Sequence, residues 1–389
     1  MYLTASEEHI LAGEQGYVLQ KAMEILAALG DIYGADRLIP VKSTQIAGVS
    51  YKTIGDAGLE WISDLSGMAR VPSMLNPAGI DRLRWKELGV SEEFAEKQEQ
   101  IIEAYEKLGI VAECTCTPYS IRDDVAQIGD HLAWSESSAV SYANSVIGAR
   151  TNREGGPSAL ASALIGKTPN YGYHLDENRI PSLAISVEGE LSGADYGALG
   201  YIAGRIAGTR VPIFSLESVL TDDERKALGA AMAASGAVAL YYIDGLPPNP
   251  PGGEFDIDEH VIIEQCEIEG VYGLHRCDPD IIALGCPHCS AAELAKLHDL
   301  LKGKTVTKEF WVCTSRTLRN RYPDLVAGIE SSGAKVVCDT CMVVSPACAR
   351  YDCMMVTSGK ALLYVPQMCG TNAVLGRLED CVRAAVGGG

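Results

Sequence analysis

The hydrophobic positions of this chain alternate between short apolar runs and stripes of helical period. Val18, Ala22, Ile25, Leu26 and Leu29 predict a helix near residues 16–30, stopped by Gly30. A second helix is expected after Ser91. Glu92 and Glu93 lie in its first turn, where carboxylates favour the helix dipole, and Phe94, Ile101, Tyr105 and Leu108 form its apolar stripe. The run Gly109–Glu113 follows as a predicted strand. Between about 280 and 340 the order is clearest. A strand over 280–285 precedes a Ser290/Glu293 capping box, which opens a helix carrying Leu294, Leu297 and Leu301 and closed by Gly303. Phe310–Cys313 reads as the next strand. Ser315 then caps a helix carrying Leu318, Tyr322, Leu325 and Ile329, which ends at Gly333 before a strand at Lys335–Val337. Strand–helix–strand–helix–strand implies an α/β fold with parallel strands. Further helices are expected near 196–207 and 222–236, and another strand at Met354–Val356.

The Pro- and Gly-rich segment Leu246–Gly253 cannot be regular structure, and the main domain boundary is placed a little beyond it. Residues 1–275 then form an N-terminal α/β region that binds substrate and cofactor. Residues 276–389 form a C-terminal βαβαβ region that packs with the first as one catalytic module. There is no internal repeat, and no low-complexity tract beyond Gly387–Gly389.

Composition narrows the class. The 389 residues are 47% hydrophobic and 21% charged, with 40 glycines, which suits an α/β enzyme with many tight turns. A net charge of −19 argues against a nucleic-acid partner, so an anionic substrate must be met by a local cluster of basic groups and backbone N–H groups. No apolar stretch approaches the roughly 18–20 residues of a membrane span. The N-terminus lacks the basic start and apolar core of a signal peptide, so a cytoplasmic location is expected.

Thirteen cysteines, an odd number spread over a long chain, do not resemble a disulfide framework. Most are expected as buried thiols, including Cys266, Cys277, Cys313, Cys348, Cys353, Cys369 and Cys381. Three groups stand apart because each follows a predicted strand: Cys114 with Cys116, Cys286 with Cys289, and Cys338 with Cys341. Ligands of open α/β sheets gather at the carboxyl ends of strands. Three thiolates delivered there could hold an iron–sulfur cluster and leave one iron open for substrate. Two C-x-x-C pairs, Cys286/Cys289 and Cys338/Cys341, leave a structural zinc site as the alternative, in a non-catalytic binding subunit. His131, His174, His275 and His288 are not assigned as catalytic bases.

Other segments suggest a small anionic ligand. Gln45–Gly58 is a glycine-rich loop whose N–H groups could form an anion nest. Asn76-Pro77 falls in another loop, and Trp134–Ser138 offers one carboxylate and three hydroxyls, or else a helix cap. Ala149–Ser158 brings Arg150 and Arg153, suited to bidentate recognition of carboxylate or phosphate. Ser358-Gly359-Lys360 follows a predicted strand end.

Several long strings resemble the aconitase X family, and within it the archaeal large-subunit members. They include Gly30–Ala35, Ile39–Ser43, Gly48–Asp56, Cys116–Tyr119, Glu136–Val140, Gly148–Gly156, Gly285–His288 and Asp339–Val344. The resemblance covers nearly the whole chain. It implies parallel-sheet domains of aconitase-like type with the cluster at strand carboxyl ends, and a hydro-lyase dehydrating (R)-5-phosphomevalonate to trans-anhydromevalonate 5-phosphate in the archaeal mevalonate pathway. Dehydration of cis-3-hydroxy-L-proline, the reaction of bacterial relatives, is the alternative. The implied cofactor is a 4Fe–4S cluster with one open iron, held by Cys116, Cys286 and Cys341. Implied substrate contacts are Gly48, Val49, Ser50, Asn76, Pro77, Glu136, Ser137, Ser358, Gly359 and Lys360, with Glu136, Ser137 and Lys360 as the catalytic candidates. The family's small swivel part, expected to carry a serine base, has no counterpart here, which implies a separate small subunit as partner in a heterodimer.

Overall fold

The run Ile281–Leu284 is buried along its whole length, as a strand covered on both faces should be. It is the centre of a five-stranded parallel sheet in the order Lys335–Val337, Glu309–Cys313, Ile281–Leu284, Cys353–Val356, Asn372–Leu375. The structure, a computed structural model, describes residues 1–252, 256–257 and 259–387. Gly253, at the end of the predicted loop, and Gly388 and Gly389 of the terminal glycines lie outside the described residues.

Two further parallel sheets precede this one. Leu183–Glu188 alternates buried and more exposed positions. It belongs to a four-stranded sheet in the order Tyr242–Ile243, Pro212–Ser215, Leu183–Glu188, His260–Glu264. Thr44–Ile46 is wholly buried and lies between Ser73–Leu75 and Ala133–Trp134 in a three-stranded sheet. A short antiparallel pair joins Leu38–Pro40 to Lys167–Pro169. The largest buried core among the described residues runs from Ile80 through Leu183, Tyr196 and Phe214 to Trp311 and Leu375, so the four-stranded and five-stranded sheets share it with the loop after Ser73–Leu75.

The predicted helices form at Tyr17–Ile32, Glu92–Lys107, Asp195–Ala207, Asp222–Ser235 and Ala291–Leu301. The Ser290/Glu293 capping box is made in both directions. Four expectations change. The helix after Ser315 is two helices, Arg316–Arg321 and Pro323–Ser331. Pro323 takes the first position of the second, and Tyr322 leaves the helical region with ψ of 58°. Gly109–Glu113 is not a strand: only Val111 bridges Met74. The Val111 N–H reaches Ser73 and the Leu75 N–H reaches Val111, but the next bond to Leu75 O comes from Thr115, where a regular parallel ladder would use Glu113. Two residues bulge out just before Cys116. The glycine-rich stretch after Ala47 is mostly helix, Tyr51–Ser63, kinked where Gly55 takes φ of 57°. Among the cysteines read as core, Cys277 and Cys353 form a disulfide and Cys266 is exposed.

Candidate active site between two sheets

The strands of the N-terminal sheet end in the segments singled out from sequence. Thr44–Ile46 leads to Gly48–Ser50, Ser73–Leu75 to Asn76-Pro77, and Ala133–Trp134 to Glu136-Ser137. The C-terminal sheet delivers its own set the same way. Cys286 follows Ile281–Leu284, Cys341 follows Lys335–Val337, and Ser358–Lys360 follows Cys353–Val356.

Direct bonds lock the two sets of loops together. Ser50 Oγ donates to Val344 O at 3.3 Å, three residues beyond Cys341. The Ala78 N–H donates to Asp339 O at 2.7 Å. Asp339 holds a left-handed backbone, φ 63°, which a non-glycine residue adopts at a cost. Its carboxylate pairs with Arg316, and Arg316 also reaches the fully buried Asp81 at 2.6 Å. Asp81 in turn accepts the Cys338 N–H at 2.9 Å. Ser358 caps the helix Gly359–Cys369 and donates to Cys286 O. Gly359 lies where this helix crosses Asp195–Ala207: a Cβ there would sit 2.1 Å from Gly197 O, so only glycine allows the approach.

Lys360 and Glu136 form a buried ion pair across the junction. Glu136 also caps the helix Ser137–Tyr142, accepting from the N–H groups of Ser138 at 2.9 Å and Ala139 at 3.0 Å and from the hydroxyls of Ser137 and Ser138. Burial alone would raise the Glu136 pKa, but the Lys360 ammonium and these donors hold it below the usual carboxylate range. Burial would lower Lys360, and Glu136 more than reverses it, so the amine stays protonated. The cap and the charged carboxylate, alternatives from sequence, are one arrangement.

Cys116, Cys286 and Cys341 are all buried and free. Burial pushes the Cys116 thiol up to about 12, with Glu136 adding and Lys360 opposing, and Cys341 contributes to the same rise. Cys286 is raised by burial, eased by Lys360, and pushed further by Cys341 and Cys116. The three thiols therefore share one electrostatic neighbourhood beside Lys360. Cys116 Sγ accepts the His288 N–H at 3.1 Å, and the backbone N–H groups of Val343 and Val344 favour the Cys341 thiolate. Hydrogen bonds to sulfur of this kind tune iron–sulfur clusters. Among the described residues no three His, Cys, Asp or Glu side chains meet at the point of a single metal ion. Cys286 and Cys341 lie in one buried core and Cys289 in another, an arrangement unlike two C-x-x-C pairs facing one zinc ion. A cluster distributes its irons among separate thiolates, and three neighbouring buried thiols, two of them accepting N–H···S bonds, fit it. Asn76 Oδ1, Gln45 Oε1 and Thr340 Oγ1 are buried without a hydrogen-bond partner around these loops, as acceptors facing an absent ligand would be.

The arginines of 149–158 divide. Arg150 is spent on His174 O at 2.9 Å and Asp176, away from the cysteines. Arg153 is exposed and reaches Tyr364 OH at 3.5 Å, one turn beyond Lys360. Sequence reading missed Gln98. Fully buried on the helix Glu92–Lys107, it accepts from the N–H groups of Tyr51 and Gly79, both at 2.9 Å, and donates to Val49 O at 3.0 Å. It ties the Gly48–Ser50 loop to the Asn76-Pro77 loop. A polar residue interrupting the apolar face of that helix was the available signal.

Comparison with known proteins agrees with this architecture. The family models described as aconitase X first, second and third domain match residues 1–177, 181–273 and 279–387. The chain is 63% identical to the phosphomevalonate dehydratase large subunit of Methanosarcina mazei, over 100% of this chain and 98% of that protein. It is 34% identical to the cis-3-hydroxy-L-proline dehydratase of Pseudomonas aeruginosa, over 99% of this chain and 70% of that protein. The crystal structure of Thermococcus kodakaraensis aconitase X in its holo-form superposes with a TM-score of 0.92 at 44% identity, covering 99% of this chain and 100% of that one. On its three matched domains and its identity to these relatives, this chain belongs to the aconitase X family.

Proposed function

We propose that this chain is the large, cluster-bearing subunit of a cytoplasmic hydro-lyase that dehydrates (R)-5-phosphomevalonate to trans-anhydromevalonate 5-phosphate in the archaeal mevalonate pathway. The observation that carries it is the meeting of the loops that bear Cys116, Cys286 and Cys341 near the Lys360–Glu136 pair, where strand-end loops of two parallel sheets are hydrogen-bonded to each other. In this reading residues 1–275 supply the substrate loops and Cys116, and residues 276–389 supply Cys286, Cys341 and Lys360.

The three cysteines would hold a 4Fe–4S cluster. Such a cluster with an open iron supplies a Lewis acid for the hydroxyl and carboxylate of a 3-hydroxy acid. The chain's own groups bind and orient. Lys360 has three N–H donors; Glu136 and Ser138 Oγ take two, leaving one for an anionic group of the substrate. Gly48, Val49 and Ser50 form one wall, with Asn76 and Pro77 beside them through Gln98. Asn76 Oδ1 is free to accept from a substrate hydroxyl. Ser137 is held by Glu136, and Ser358 and Gly359 fix Lys360 against the Cys286 loop.

Glu136 is ionised and already accepts from four groups besides Lys360, which makes it a poor base for a weakly acidic C–H. The proton is therefore assigned to a base on a small swivel subunit that closes over the site and excludes water. Relatives named as large subunits support such a partner.

Anaerobic reconstitution with iron and sulfide, followed by spectroscopy and a dehydration assay, tests the reading. The expected result is a loaded chain that turns over phosphomevalonate only with the small subunit. Full turnover by the chain alone would place the base within it. Preference for cis-3-hydroxy-L-proline, or loading with zinc and no iron or sulfide, would overturn the assignment.

A further inference from the structure

We infer that the His288 imidazole is the tie that sets the spacing of the three cysteine-bearing loops, making it a positioning residue for the cluster ligands. The inference rests on the reading of Cys116, Cys286 and Cys341 as those ligands.

His288 lies two residues beyond Cys286 and is fully buried. Its ring Nε2 is 3.0 Å from Thr340 O, the carbonyl immediately before Cys341. Its Nδ1 is 3.0 Å from Thr115 Oγ1, on the residue immediately before Cys116. A carbonyl only accepts, so Nε2 carries the proton and Nδ1 accepts the Thr115 hydroxyl. Thr115 Oγ1 has then spent its only proton, so the Thr117 hydroxyl, 3.2 Å away, and the Thr117 N–H both donate to it. The bonds run in one direction, from Thr117 through Thr115 and the ring to Thr340. The peptide N–H of His288 adds a third link, donating to Cys116 Sγ at 3.1 Å.

One rigid five-membered ring thus spans the two other loops, whose contact residues lie 173 and 52 positions away in sequence. Both nitrogens are occupied, so the ring has no lone pair or proton left for substrate. A histidine that merely filled the core would not need both neighbours to precede a cysteine. Groups that hydrogen-bond the residues around a metal ligand fix its orientation in this way.

The test uses the full chain reconstituted anaerobically together with its small subunit, as wild type, His288→Gln, His288→Leu and Thr115→Val. Glutamine can donate to Thr340 O and accept from Thr115, whereas leucine can do neither. Iron and sulfide content, the electron paramagnetic resonance spectrum and the rate of cluster loss to a chelator are measured, with the thermal midpoint as fold control. His288→Leu is expected to lose the cluster about tenfold faster and to change the spectrum, with His288→Gln near wild type and Thr115→Val in between. A folded His288→Leu protein with wild-type retention and spectrum overturns the inference while leaving the cluster reading intact. If His288→Leu does not fold, Thr115→Val decides alone, and unchanged retention there overturns it equally. A wild-type chain that takes up no iron overturns the cluster reading and this inference with it.

Discussion

The Lys360 ammonium donates to the Glu136 carboxylate from 224 residues away in the chain, and both side chains are at least nine-tenths buried. Each belongs to a helix that begins at a strand end, one in each sheet, so the pair reports directly on how the sheets are docked.

Removing one partner should therefore cost more than removing both. Lys360→Met leaves a buried carboxylate uncompensated and should destabilise the chain by about 3–5 kcal/mol, while Lys360→Met with Glu136→Gln recovers much of the loss. The pH dependence follows from the two shifts. Glu136 is depressed from its ordinary value of 4.5, so its contribution is present above that pH and lost as pH falls through the folded value. Lys360 is raised from 10.5, so its contribution is full below that pH and lost as pH rises further. Denaturant midpoints of wild type and double variant should differ most between these limits and converge in acid. A difference that grew below pH 4.5 would contradict the pair's charge state.

Serine at any of Cys116, Cys286 or Cys341 should remove bound iron and sulfide with the fold retained. Cys313→Ser is the control: Cys313 is fully buried on the strand Glu309–Cys313, and the change should cost about 1–3 kcal/mol of stability through a buried hydroxyl while iron content stays near wild type. Normal iron content in any of the first three would remove that residue from the ligand set.

Gly285 precedes Cys286 with φ of 92°, and a Cβ there would lie 2.1 Å from Cys313 O. Gly285→Ala must shift the Cys286 loop away from the neighbouring strand. The left-handed backbone alone costs about 1–2 kcal/mol, with the overlap added. Thermal midpoint and cluster content should fall together. A variant with wild-type iron would show that the loop can move without disturbing Cys286.

Among the described residues, Gln98 is the sole side chain that hydrogen-bonds both the Gly48–Ser50 loop and Gly79. Gln98→Leu leaves three backbone groups without this partner, and the two buried ones, Gly79 N–H and Val49 O, each cost about 1–3 kcal/mol. Gln98→Glu keeps both N–H contacts but sets a carboxylate oxygen against Val49 O in place of the donated N–H. KM should rise in Gln98→Glu with cluster content unchanged. An unaltered KM would separate these loops from substrate binding.

Features that depend on near neighbours are legible along the chain. Capping boxes, helical stripes and apolar runs predict strands at 280–285, 310–313, 335–337 and 354–356 and the helices that follow the first two, close to the observed 281–284, 309–313, 335–337 and 353–356, because those signals act over a few residues. The same locality explains why cysteines just after strands could be singled out as a group. It also explains the errors: the strand before Cys116 lost its register to a two-residue bulge, and Pro323 split a helix whose apolar stripe continued past it. Which groups meet depends on how the sheets pack. The choice of partners for Glu136, the diversion of Arg150 to Asp176, the Cys277–Cys353 disulfide, the use of both His288 nitrogens and the bridging by Gln98 all join residues far apart in the chain. Their energies come from burial and desolvation at the junction of two sheets, an environment that exists only once the strands are ordered and the sheets are docked.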